Sequence, residues 1–111
     1  MADMTIKQGD RLPKLRATLQ QGTPPAAIDL TTAVAVKFQM RLVSNPATVK
    51  GPGACTIVTA ASGIVEYAWG ASDTDTAGTW EAEFEIEWSG GLKETVPNDG
   101  YFTVTIVDDI A

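Results

Sequence analysis

Between residues 80 and 88 the chain alternates without a break. Trp80, Ala82, Phe84, Ile86 and Trp88 are apolar, while Glu81, Glu83, Glu85 and Glu87 are acidic. A period of two sends successive side chains to opposite faces of a strand, whereas helical spacing would scatter both sets around an axis. This segment therefore reads as a strand with one face in a core and the other in water. Residues 34–43 repeat the pattern, with Val34, Val36, Phe38, Met40 and Leu42 set against Ala35, Lys37, Gln39 and Arg41. Two such strands cannot bury their apolar faces alone, so further layers are required.

Shorter candidate strands supply them. Residues 14–20 place Leu15, Ala17 and Leu19 inward; residues 54–59, 64–69, 92–96 and 101–107 follow, and residues 4–7 suit an edge. The intervals carry turn chemistry: Gln21-Gly22-Thr23-Pro24-Pro25, Asn45-Pro46, Gly51-Pro52-Gly53, Ser62-Gly63, Ser89-Gly90-Gly91 and Pro97-Asn98-Asp99-Gly100. No helix of two turns is predicted, and residues 71–78 read as a loop. Strands punctuated by turns about every 8–12 residues mark an all-β sandwich or barrel. The length of 111 residues suits one core rather than two. The expected fold class is all-β, a single antiparallel β-sandwich of about seven to eight strands.

Register can be predicted at Ser89-Gly90-Gly91. A two-residue loop sets Glu87 against Glu94, placing like charges face to face. A three-residue loop with a left-handed glycine sets Trp88 against Leu92, Glu87 against Lys93 and Phe84 against Val96. It is preferred, although it leans Glu94 inward, near a rim.

Charge and missing residue types narrow the function. Eight basic against fourteen acidic residues give a net charge of −6, with the basic residues scattered. Such a surface repels phosphate backbones and anionic lipid, so neither nucleic acid nor membrane is an expected partner. No apolar run reaches the roughly 18 residues needed to span a bilayer, and Met1-Ala2-Asp3-Met4 lacks a signal-peptide pattern, so a soluble chain made in the cytoplasm is expected. Histidine is absent, which removes the usual general base and the commonest transition-metal ligand. Cys55 is the sole cysteine and reads as a small buried hydrophobe. An enzyme is not expected, and no cofactor or metal is implied.

Several residues are candidates for an interaction surface. Glu81, Glu83, Glu85 and Glu87 lie about 6.5–7 Å apart along one strand face, too far for two to share an ion closely. A solvated face is the simplest reading, and a surface for a basic partner the next. Asp73 and Asp75, in Ser72-Asp73-Thr74-Asp75-Thr76, superficially resemble a calcium loop but lack its glycine and terminal glutamate. The glycine clusters precede no helix and read as hairpin ends rather than phosphate cradles. Trp80 belongs to the core. Trp69 and Trp88 end their strands beside loops, where each serves as a core lid or as an exposed contact; with Tyr67 or Tyr101 they suggest a stacking platform.

Four phrases recur in a set order: Ile6-Lys7-Gln8-Gly9-Asp10-Arg11-Leu12-Pro13 with Leu15-Arg16-Ala17-Thr18-Leu19; Ile28-Asp29-Leu30-Thr31-Thr32-Ala33 into Val36-Lys37-Phe38-Gln39-Met40-Arg41; Asp75-Thr76-Ala77-Gly78-Thr79-Trp80-Glu81-Ala82-Glu83-Phe84-Glu85; and Pro97-Asn98-Asp99-Gly100-Tyr101-Phe102-Thr103-Val104. Together they resemble the N-terminal domain of the phage baseplate upper protein family over residues 6–107. The resemblance implies an Ig-like β-sandwich over residues 13–107, with an extended arm at 1–12 and a tail at 108–111. It implies an attachment role in the virion of a tailed bacteriophage, after synthesis in the host bacterial cytoplasm, with other virion proteins as partners through self-association or contact with tail or capsid subunits. The family's domain fixes longer fibre or receptor-binding parts to the tail; this chain ends soon after the domain. A tail or baseplate module is the first expectation, and a head-to-tail connector or capsid decoration protein the alternative. Of another class is a carbohydrate- or host-receptor-binding module using Trp69, Trp88 and the loop at 71–78. No catalytic residue comes with the resemblance. An arm at 1–12 is also a ready strand donor to a neighbouring subunit.

Overall fold

The structure, a computed structural model, describes residues 3–97 and 100–110. Met1, Ala2 and Ala111, and the Asn98-Asp99 part of the expected turn, lie outside these residues. The strands are, in chain order, β1 (Met4–Lys7), β2 (Leu15–Thr18), β3 (Gln20–Gln21), β4 (Ala26–Ala27), β5 (Ala33–Leu42), β6 (Asn45–Ala54), β7 (Thr56–Thr59), β8 (Ile64–Tyr67), β9 (Gly78–Trp88), β10 (Lys93–Val96) and β11 (Phe102–Val107). Among the described residues the only helical pieces are short 3₁₀ turns at Ala60–Ser62 and Ser89–Gly91.

The fold is all-β, as the alternation predicted. One sheet has the order β1-β11-β9-β5-β6, with β10 also on β9; a smaller sheet has the order β2-β8-β7, and β3 and β4 form a separate ribbon. β11 pairs β9 from Ala82 to Gly78, and β10 pairs it from Glu87 to Phe84. Both therefore occupy the same edge of β9, like one strand interrupted midway. The pairings are antiparallel except that of β1 with β11, which is parallel. The segment at 4–7 is thus built into the sheet, and Ile6 is buried.

The two sheets close on an aromatic centre. Phe38 of β5 lies 4.7 Å from the ring of Tyr67 in β8, 5.8 Å from Trp69 and 5.4 Å from Phe84 of β9. These spacings suit tilted and edge-on ring pairs. Trp80, Ala82, Phe84 and Ile86 are fully buried, as their shared parity requires. Each large buried side chain contributes about 1.5–3 kcal/mol, against about 0–1 kcal/mol for an exposed ion pair. Packing of the apolar faces, not surface charge, holds the sheets together.

The three-residue loop is confirmed in register: Lys93 pairs with Glu87 and Val96 with Phe84, and the Trp88 N–H donates to the Leu92 carbonyl at 2.7 Å. Gly90 sits at φ +81° and ψ +10°, the left-handed conformation that this loop demands. Glu94 is half-buried and accepts a hydrogen bond from Trp88 Nε1 at 3.2 Å.

Two strand expectations need correction. Val34 does not face the core: it is 65% exposed, because the register of β5 on β9 shifts between Ala33 and Ala35 and leaves Val34 as the extra residue of a bulge. Asn45-Pro46 opens β6 directly after the Val43-Ser44 turn, with Leu42 paired to Asn45, whereas Gly51-Pro52-Gly53 is not a hairpin end but lies within β6. Among the described residues β6 pairs only with β5 and so is an edge strand, and on an edge a proline forfeits no ladder hydrogen bond. The register irregularity between Phe38 and Met40 falls opposite this Gly-Pro-Gly stretch.

Candidate functional site

The glutamate row lies on the outer face of β9, and its register sets its neighbours. Glu81 faces Arg41, Glu83 faces Gln39 and Glu85 faces Lys37 across β5, while Glu85 and Glu87 face Thr95 and Lys93 across β10. Arg41 Nε donates to Glu81 Oε2 at 3.0 Å, Gln39 Nε2 donates to Glu83 Oε1 at 2.8 Å, and Lys93 Nζ stands 3.6 Å from Glu85. Glu81, Glu83 and Glu85 are thus each engaged by a different side chain along the face. Among the described residues no three His, Cys, Asp or Glu side chains converge as metal ligands would.

A cleft opens where the strand beside β9 is interrupted. β10 ends with Val96 opposite Phe84 and β11 begins with Phe102 opposite Ala82, so among the described residues Glu83 has a strand partner only on its β5 side. Tyr101, the residue before β11, lines the cleft. Arg41 Nη2 donates to the Tyr101 hydroxyl at 2.9 Å, and its guanidinium carbon lies 4.8 Å from the ring centroid. Gln39, Arg41, Val49, Glu81, Glu83 and Tyr101 line a cavity of about 230 Å³. The hydrogen bond to Glu81, and then the attraction of Tyr101, raise the pKa of the Arg41 guanidinium, so Arg41 is a fixed cation.

The loop before β9 is engaged within the protein. Asp73 Oδ2 accepts hydrogen bonds from the Tyr67 hydroxyl and the Gly70 N–H, both at 2.6 Å. Burial first, and then this carboxylate, push the Tyr67 hydroxyl well above its ordinary range. Asp75 pairs with Lys50 at 2.9 Å, and that hydrogen bond, helped by Thr76, holds its carboxyl below the usual value. Thr74, almost fully buried, donates to the Asp10 carbonyl at 2.8 Å, and its own carbonyl accepts from the Gly9 N–H at 2.9 Å. Gln8 Nε2 reaches the Asp75 carbonyl, Arg11 Nε the Trp69 carbonyl and Trp69 Nε1 the Pro13 carbonyl. Residues 8–10 are therefore laced onto this loop and residues 11 and 13 onto Trp69, while the loop's carboxylates are engaged by Tyr67, Gly70 and Lys50.

Of the candidate surface residues, Glu81 and Glu83 come together in the cleft, and Glu85 and Glu87 continue the row beyond it. Asp73 and Asp75 lie in the separate loop that clamps the arm. Trp69 takes the core alternative and leaves the interaction surface: only 1% exposed, it stands edge-on to Phe38 and Tyr67. Trp88 is half-buried and bonded to Glu94, so the two tryptophans form no shared platform. Gln39, Arg41 and Val49 were not anticipated in the site, and Tyr101 was anticipated only as part of a stacking platform with the tryptophans. Arg41 had a signal, being on the polar parity of its strand. The place of Tyr101 beside Arg41 had none, because it depends on where β9's neighbour breaks. Cys55 packs against the core, and burial pushes its thiol up to about 12; it is a poor nucleophile.

No family model matches the chain, and no curated protein matches it.

Proposed function

We propose that this chain is a structural virion protein of a tailed bacteriophage, an Ig-like attachment module of the tail or baseplate. One observation carries the reading: the four phrases of the family resemblance fall on β1 with β2, β5, β9 and β11, the strands that build one sandwich core. Their arrangement supports the Ig-like assignment. β11, β9 and β5 lie adjacent with β6 beyond β5, opposite a sheet of β2, β8 and β7. That is the order of the G, F, C and C′ strands facing B, E and D in a variable-type immunoglobulin sandwich.

An attachment role asks for a rigid scaffold with a face free to meet a neighbour. The outer face of β9 and β5 meets both needs, since its side chains are half-exposed while the opposite parity is buried. The arm is a weaker candidate for a donated strand, because residues 4–13 are already paired within the chain. Burial of Trp69 leaves the carbohydrate-binding alternative without its platform.

Immunogold labelling of purified particles, using antibody against the whole chain, tests the proposal. Label at the tail or baseplate is the expected result. Label on the head replaces it with the capsid-decoration alternative, and absence from particles overturns the virion role.

A further inference from the structure

Charge is unbalanced inside the cleft. Arg41 is neutralised by Glu81 at 3.0 Å. Among the described residues the polar partner of Glu83 is the neutral amide of Gln39, at 2.8 Å. The cleft thus keeps one carboxylate charge, on a chain whose net charge is −6. Its flanks are apolar: Val49 is 53% and Tyr101 48% exposed. The volume of about 230 Å³ lies below the roughly 300–1,000 Å³ of sites that enclose small molecules. The space suits one side chain of a partner and not a cofactor.

A cation on an aliphatic stem satisfies both features. The stem lies along Val49 and the Tyr101 ring while the head reaches Glu83. A guanidinium fits better than an ammonium, because its forked donors can span the Glu83 carboxylate and the Gln39 amide oxygen, which stays an acceptor while Nε2 donates to Glu83. The geometry points to the cleft as a socket for one arginine side chain presented by a partner protein. That the partner is a neighbouring virion subunit rests on the attachment reading; the socket itself does not. Tyrosine and arginine at its wall are residue types that concentrate binding energy at interface centres.

The test is an NMR titration of the whole, isotope-labelled chain with N-acetyl-argininamide, beside N-acetyl-citrullinamide, which keeps the shape and loses the charge. Saturable shifts confined to the amides of Gln39, Arg41, Val49, Glu81, Glu83 and Tyr101 are expected, with at least about tenfold weaker binding of the citrulline compound. Glu83→Gln should weaken the arginine compound by a similar factor. Glu87→Gln, on the same face but beyond the cleft, should bind as the parent does and so excludes a general effect of charge. Absence of saturable shifts, equal binding of the neutral compound, or unchanged binding by Glu83→Gln overturns the socket. The two proposals fail separately: a chain missing from particles that still binds N-acetyl-argininamide loses only its virion role.

Discussion

The ring of Tyr67 occupies the space a side chain on Gly53 would need: a Cβ there would meet the ring carbon Cε1 at 2.6 Å and the hydroxyl oxygen at 2.7 Å. Gly53 pairs with Phe38, and the Phe38 ring lies tilted against Tyr67 at 4.7 Å, so β6, β5 and β8 meet at this point. Gly53→Ala must displace a ring fixed by Asp73 and the core. Overpacking of this kind costs about 1–3 kcal/mol. Urea unfolding should show a lower midpoint at unchanged slope, and wild-type stability would mean that the ring yields freely.

Thr74 holds the N-terminal segment through one buried hydroxyl. Thr74→Val keeps the shape but removes the donor to the Asp10 carbonyl, a loss of about 0.5–1.5 kcal/mol since Asp10 is exposed and its carbonyl can take water instead. Hydrogen exchange at the Gly9 amide, which donates to the Thr74 carbonyl, should accelerate more than exchange in β9. Equal protection in both proteins would show that the arm is held elsewhere.

How far the sequence revealed these features follows from their range. The faces of β9 were legible because an unbroken alternation of tryptophan, phenylalanine and glutamate has only one periodic solution. The β9–β10 register was legible because one loop length separates like charges and the other does not. β6 was hidden: its prolines and glycines carry the local signature of turns, and only its place at a sheet edge makes them tolerable. Trp69 looked like a strand end beside a loop, but residues 8–13 cover it from across the chain. The cleft was least legible, since it exists only where β10 and β11 fail to meet along β9.

Cys55 gives a prediction in pH. Burial lifts its thiol from an ordinary 9.0 to about 12, so folding favours the protonated form. Its contribution to stability is complete below about pH 9 and is lost as pH rises from there toward 12. Alkylation by iodoacetamide near pH 8 should be roughly a hundredfold or more slower than in the urea-unfolded chain, because so little thiolate forms. Matching rates in the two states would place the thiol in water.

Asp75 titrates in the opposite sense. Lys50, and then Thr76, hold its carboxyl below the ordinary 3.8, so the stabilising interaction is present above that value and is lost as pH falls through the lower folded pKa. Lys50→Met should move the Asp75 titration midpoint upward, as followed through its carboxyl carbon by NMR. An unmoved midpoint would assign the shift to the loop's own hydroxyl.

Tyr101 and Phe102 are chain neighbours with opposite duties, which lets binding be separated from stability. Phe102 is 3% exposed and stacks on Phe84 at 5.4 Å with the rings 8° from parallel. Tyr101 is 48% exposed and touches Arg41 on the outer face. Phe102→Ala should therefore lower stability by about 3–5 kcal/mol through the cavity it leaves. Tyr101→Ala should change it by less than about 0.5 kcal/mol, since an exposed contact between two solvated groups adds little. Calorimetric unfolding of the two variants side by side reads the contrast. If Tyr101→Ala destabilised the chain as Phe102→Ala does, the cleft wall would be part of the fold's support, and Tyr101 could not serve as a variant that isolates recognition.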